Sequence, residues 1–193
     1  MQTRSEHWRW LAAAFTYPDD EIRRHLDGPT PEAYLRIFGH TVKGDCPPHE
    51  LEYGELKADR LFQPHRLADI AAFYNAFGLE VIGDERVDHI AMECEFYAVL
   101  CAKEEVAGEQ VEFCRETQRK FLQEHLARWI PAFCRRVRGD SFYESAAERL
   151  HNALLAECAR HGIEAGNPDL NLRTVEELVD PCGACGLHEA DLR

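Results

Sequence analysis

The chain has 193 residues, of which 30% are charged, and a formal net charge of −13. That length suits one domain with one sizeable core. The acidic excess repels phosphate backbones and anionic head groups, so nucleic acids and membrane surfaces are poor partners, and a cationic ligand or a peptide with a basic segment is the better match.

The N-terminal stretch "MQTRSEHWRWLAAAFTYPDDE" carries an apolar run broken by Arg9 and closed by Pro18. It is too short for a signal h-region or a bilayer span, so the protein is expected to stay where it is made. Cys94, Cys101, Cys114, Cys134 and Cys158 fall singly inside helical patterns. There a thiol behaves as a small hydrophobe, and reduced cysteines in a reducing compartment are expected.

In chain order, a first helix is predicted from about Ser5, as N-cap, to about Thr16, with Trp8, Leu11, Ala12 and Phe15 on one face. "YPDDEI" reads as a turn into a short helix, and "TPEAYLRIF" opens another with Pro at its first position. Residues 40–63 form the longest irregular stretch, with Gly, Pro and mixed charge. "QPHRLADIAAFYNAFG" is a helix opened by Pro64 and closed by Gly78. The longest and most buried helix is predicted from Val87 to about Ala107. "GEQVEFCRETQRKFLQEHLARWI" follows, with a break or kink expected at Pro131. "SFYESAAERLHNALLAECARHG" is the last long helix. No period-two strand pattern, repeat or low-complexity tract is present. An all-α single-domain bundle over residues 1–162 is expected, with an irregular acidic tail over 163–193.

The stretch "RVDHIAMECEFYAVL" crowds Asp88, His89, Glu93, Cys94 and Glu95 together. On a helical wheel Val87, Ile90, Ala91, Cys94, Tyr97, Ala98 and Cys101 form one apolar stripe, and Met92, Phe96, Val99 and Leu100 form another. A helix apolar on two sides is sandwiched between others. Glu93 and Glu95 then fall in its seams, where buried carboxylates need partners, and are expected to hold the packing together. Asp88 and His89 fall in the first turn, at an open helix mouth, where Asp88 complements the helix dipole.

"ERVDHIAMECEFYAVLCAKE" resembles the Asp-His block of the TorD/DmsD/NarJ chaperones, which assist assembly of molybdenum oxidoreductases. "LADIAAFYNAFGLE", "FLQEHLARWIPAF" and "CPPHELEYG" are similar to further blocks of that family, in the same order, over roughly residues 46 to 134. Val87 departs from the family's usual Pro, and Cys94 from an aliphatic residue. The resemblance implies an all-helical cytoplasmic chaperone without catalytic activity. Its partner would be the catalytic molybdopterin subunit of an enzyme of the dimethyl sulfoxide reductase superfamily. The chaperone would bind that subunit's twin-arginine leader or N-terminal region until the cofactor is inserted. It further implies that Asp88 and His89 belong to the leader-binding region. Tyr53, Tyr74, Phe77, Met92 and Phe96 are expected beside them, from their spacing.

"PCGAC" sets Cys182 and Cys185 in C-x-x-C spacing, and "CPPH" sets Cys46 and His49 as a second pair. Three readings stand: a redox pair, a zinc site built from both pairs, or free thiols in a tail. The first two belong to the alternative reading of the chain, an all-α metal-binding or thiol redox protein; otherwise no cofactor is expected. Beside Trp129, His125 reads as a packing residue. No glycine-rich phosphate loop is present, so nothing indicates a nucleotide pocket.

Overall fold

The computed structural model describes residues 2–39, 45–54, 62–81 and 85–172. Cys182, Cys185 and the rest of 173–193 lie outside the described residues. Among the described residues eight α-helices run in the order α1 (Arg4–Phe15), α2 (Asp20–His25), α3 (Pro31–Phe38), α4 (Phe62–Ala76), α5 (Ile90–Val106), α6 (Val111–Phe121), α7 (Ala127–Arg136) and α8 (Ser141–His161). Among the described residues there is no β-strand, only two isolated bridges, His49 with His89 and Tyr53 with Leu172. The all-α expectation holds. Among the same residues, no helix is long and apolar enough to cross a membrane.

Local chemistry sets most helix ends. Thr3, rather than Ser5, caps α1: its hydroxyl accepts from Glu6 N–H while Glu6 reaches back to Thr3 N–H, a complete capping box. Asp19, Thr30 and Asp140 cap α2, α3 and α8. Gly162 closes α8 in the left-handed conformation at φ 64°.

α5 is the central helix. Ile90, Ala91, Cys94, Tyr97, Ala98, Leu100 and Cys101 are buried along it. Trp8 of α1 packs on Tyr97 at 4.7 Å between ring centroids, and Phe96 meets Tyr74 of α4 and Phe121 of α6, both at 4.8 Å. The expected sandwich between two helix layers is therefore present. Its first turn is shorter than predicted: α5 begins at Ile90, and His89 is its N-cap.

Of the break or kink expected at Pro131, the break does not occur. Pro131 sits inside α7, directly after one π-helical turn over Leu122–Leu126. Proline cannot donate to the carbonyl four residues back, which frees the oxygen of Ala127. Gly166 N–H takes that oxygen at 2.7 Å. A Cβ at Gly166 would stand 2.5 Å from the Arg128 carbonyl, so only glycine allows this approach. Residues 163–172 consequently lie on the bundle, with Ile163, Ala165, Leu170 and Leu172 packed against the core, although the sequence placed a tail boundary at residue 162.

Candidate functional site

The segment 45–54, "DCPPHELEYG", crosses the start of α5 as a strap. Ile90 N–H donates to Pro48 O at 2.8 Å, and Glu50 N–H donates to Asp88 O at 2.9 Å. Further on, Tyr53 Oη donates to Pro47 O at 2.9 Å, and Gly54 N–H to Asn171 O at 2.8 Å. The strap is thus pinned on one side by α5 and on the other by the chain after α8.

Asp88 fastens this junction. Its carboxylate accepts two hydrogen bonds from Arg86, at 2.9 and 2.8 Å, and one from Leu51 N–H at 3.1 Å. Arg86 also reaches Glu52 of the strap at 3.1 Å. Asp88 is fully buried, so it stands before the helix as a clamp and not in an open first turn. His89 is 2% exposed. Its Nδ1 accepts from Ala91 N–H at 3.2 Å, and its Nε2 lies 3.2 Å from Tyr34 Oη. Because Nδ1 accepts, the proton of the neutral ring resides on Nε2 and points at the tyrosine. Burial pushes the His89 imidazole down to about 4 despite the nearby Glu85.

Beneath the strap lies a second polar group. Glu50, from the strap, meets His125 Nδ1 at 2.9 Å and Arg66 of α4 at 2.6 Å. His125 Nε2 stands 3.4 Å from Asp69. Burial raises the Glu50 carboxyl, but the His125 hydrogen bond and the positive charge beside it outweigh this and hold it below the usual range. Glu93 is fully buried; its Oε2 accepts from Trp129 Nε1–H at 3.1 Å, and its Oε1 has no hydrogen-bond partner among the described residues. Burial and the negative charge of Glu50 push Glu93 well above the usual carboxylate range, which favours the neutral acid. The partner its seam position calls for is thus the indole of Trp129. Glu95 is exposed and belongs to no seam, which corrects its expected burial.

Of the aromatic neighbours, Tyr53, Tyr74 and Phe96 are buried, while Phe77 and Met92 are partly exposed. Tyr74 Oη donates to Val87 O at 2.8 Å, which ties α4 to the turn before α5. The structure does gather these residues around the start of α5, but most form its floor and offer little surface. Two apolar residues that periodicity did not single out stand outside: Phe113 is 63% exposed and Val106 83%. Phe113 stacks on Phe77 at 6.2 Å with the rings 18° apart. The sequence signal for them was an apolar residue among charges in "EEVAGEQVEFCRE".

The "CPPH" pair does not converge on one site. Cys46 is buried with its thiol toward Phe133 O at 3.9 Å, and burial pushes it up to about 12. His49 turns the other way, to Glu85 and His89. All six described cysteines are free and buried.

An all-α bundle carrying the Asp-His turn, the "CPPHELEYG" strap and the "FLQEHLARW" helix, all meeting at one junction, is of the TorD/DmsD/NarJ class of molybdoenzyme chaperones. Residues 4–135 match the family described as "Nitrate reductase delta subunit", and the chain belongs to that family. It is 36% identical over 172 residues to a selenate reductase assembly chaperone protein from Thauera selenatis, across 80% of this chain and 88% of the relative. It is 32% identical over 143 residues to a chlorate reductase assembly chaperone protein from Ideonella dechloratans, across 66% of this chain and 72% of the relative.

Proposed function

We propose that the protein is a cytoplasmic assembly chaperone for a molybdenum oxidoreductase. It holds the leader or N-terminal region of the apo catalytic subunit until the cofactor is inserted, and it does so by binding, without chemistry of its own. The observation that carries this reading is family membership together with two relatives named as reductase assembly chaperones, one matched over 88% of its length. The surface chemistry is in keeping with it. A leader with paired arginines before an apolar run needs acidic groups beside exposed apolar ones. The chain has a net charge of −13 and presents Phe113 and Val106 next to Glu105, Glu109 and Glu112.

In this reading Phe77, Met92 and Phe113 touch the peptide. Asp88 and His89 act from below by keeping the strap and the start of α5 in place. The high titration of the buried Cys46 and Cys94 thiols speaks against thiolate chemistry at those two positions.

Calorimetric titration with a synthetic twin-arginine leader, beside pull-down of client subunits, tests the proposal. Binding should weaken as salt is added, and Phe113→Ser should weaken it with the thermal midpoint unchanged. Asp88→Asn should lower the midpoint first, because it breaks the pair between a fully buried carboxylate and Arg86, a change of about 2 kcal/mol given that Arg86 keeps 32% of its side chain exposed. A peptide whose affinity ignored both salt and Phe113→Ser would remove this account of recognition. Failure to retain any molybdoenzyme subunit would remove the chaperone assignment.

A further inference from the structure

We propose that His49, Glu85 and His89 form a binding site for a divalent transition-metal ion of the zinc type, placed where the strap crosses the start of α5. One ligand atom from each of the three residues lies within 4.8 Å of the others. His49 Nε2 is 3.6 Å from Glu85 Oε1, and the two imidazole rings meet edge to face at 5.1 Å. The backbone fixes both histidines: they form an antiparallel bridge, locked by the Ile90 N–H bond to Pro48 O at 2.8 Å. The His49 nitrogen that faces Glu85 is Nε2, and at 3.6 Å it stands beyond a normal hydrogen bond to the carboxylate, while Nδ1 is buried without a partner among the described residues.

Two imidazoles and one carboxylate suit zinc and its neighbours better than magnesium or calcium, which prefer oxygen throughout. Zinc holds such donors at about 2.0–2.2 Å, so the three atoms must close by roughly an ångström. Glu85 is 46% exposed at the side chain and held, among the described residues, only by Arg86 N–H at 3.2 Å, so it can supply most of that movement. The same exposure leaves a path for the ion and coordination positions for water. The ion must also displace one existing contact of His89, either the Ala91 N–H or the Tyr34 hydroxyl. Each is a single neutral hydrogen bond, small beside the energy of a metal–ligand set.

This site contains no sulfur. Its donors therefore differ from those of the four-ligand set read from the sequence, with which it shares only His49, and it stands whether or not the protein is a chaperone. Its effect would be mechanical. An ion shared by residues 49, 85 and 89 ties the strap and the turn before α5 to the helix cap.

The test uses the full chain, zinc binding by calorimetry, and cobalt as a spectroscopic substitute. The parent and a Cys182→Ser/Cys185→Ser variant should each take one equivalent of zinc and gain thermal stability from it. His49→Ala and Glu85→Gln should bind at least about tenfold more weakly and lose that gain. Both side chains reach solvent, and circular dichroism checks that each variant is folded. Cobalt should show no thiolate charge-transfer band. The proposal is overturned if the parent binds no zinc, if the equivalent survives both variants, or if it disappears with the two cysteines.

Discussion

The two halves of α5 carry buried charge in opposite ways. At its C-terminal half, Arg4 of α1 donates to both oxygens of Glu157 on α8, at 2.7 and 2.5 Å, and to Glu104 at 2.7 Å. Gln118 bridges from α6 to Glu104 and to the Leu100 carbonyl, and Tyr97 donates to Glu157 at 3.1 Å. Burial raises Glu104, but hydrogen bonds from Arg115 and Arg4 outweigh it and hold the carboxyl down at about 2. At the N-terminal half, Glu93 and Glu50 share one pocket in which His125 and Arg66 serve Glu50 and a single tryptophan serves Glu93. Here burial and the charge of Glu50 favour the protonated form of Glu93, which relieves the repulsion. One end is a network with donors for its charges; the other is short of donors. Each arrangement welds α5 to its neighbours, but only the second depends on the strap, because Glu50 comes from it.

The sharpest way to break this contrast is to make the same substitution at both ends. Glu157→Gln removes a charge that Arg4 grips with two bonds and should cost about 2 kcal/mol in denaturant unfolding. That lies below the usual range for disrupting a buried pair because Arg4 keeps 30% of its side chain exposed. A cost below about 0.5 kcal/mol would show that the network is ornamental. Arg66→Met comes next. It strips from Glu50 one of its two donors and from Glu124 O a third contact, and should cost about 1–2 kcal/mol. Strap amides should then exchange hydrogen faster while α1 and α8 stay protected. Equal loss of protection in all three would mean that the two ends are not energetically separate.

Helical periodicity identified the bundle, the central helix and its two apolar faces, because burial of side chains leaves a direct imprint on spacing. The cap did not leave one. Asp88 and His89 looked like a first turn because nothing in local pattern shows that Pro48 and Glu50, some forty residues upstream, supply the backbone partners of Ile90 and Asp88. Glu93 and Glu95 differ by two positions and therefore by nearly opposite faces; composition made both seam residues, and only packing separated the buried acid from the exposed one. Glu50 and His125 were in plain view, in "CPPHELEYG" and "FLQEHLARW", but their pairing spans 75 residues. Pro131 read as a breaker because its compensation, the Gly166 amide, lies beyond the last helix.

Glu93→Gln should have the smallest effect at neutral pH, within about 1 kcal/mol of the parent, because an amide keeps the shape and neutrality of the protonated acid and can still accept from Trp129. Its value lies in pH. A carboxyl raised in the native state contributes stability that is fully present below its unfolded value, near 4.5, and is lost as pH rises through the native value. The parent should therefore lose stability relative to Glu93→Gln as pH is raised above the ordinary carboxylate value of 4.5. Glu104 runs the other way: its lowered carboxyl contributes above about 4.5 and is lost as pH falls toward 2, and both proteins share that limb. His89, pushed down to about 4, binds fewer protons folded than unfolded, so it adds stability as pH rises toward 6.5, and this too cancels in the difference. Glu93 is faced by Glu50, Asp88 and Trp129, so the slope of the difference reports that pocket alone. A flat difference across the range would mean that Glu93 is ionised in the native protein, and the two ends of α5 would then be handling charge in the same way.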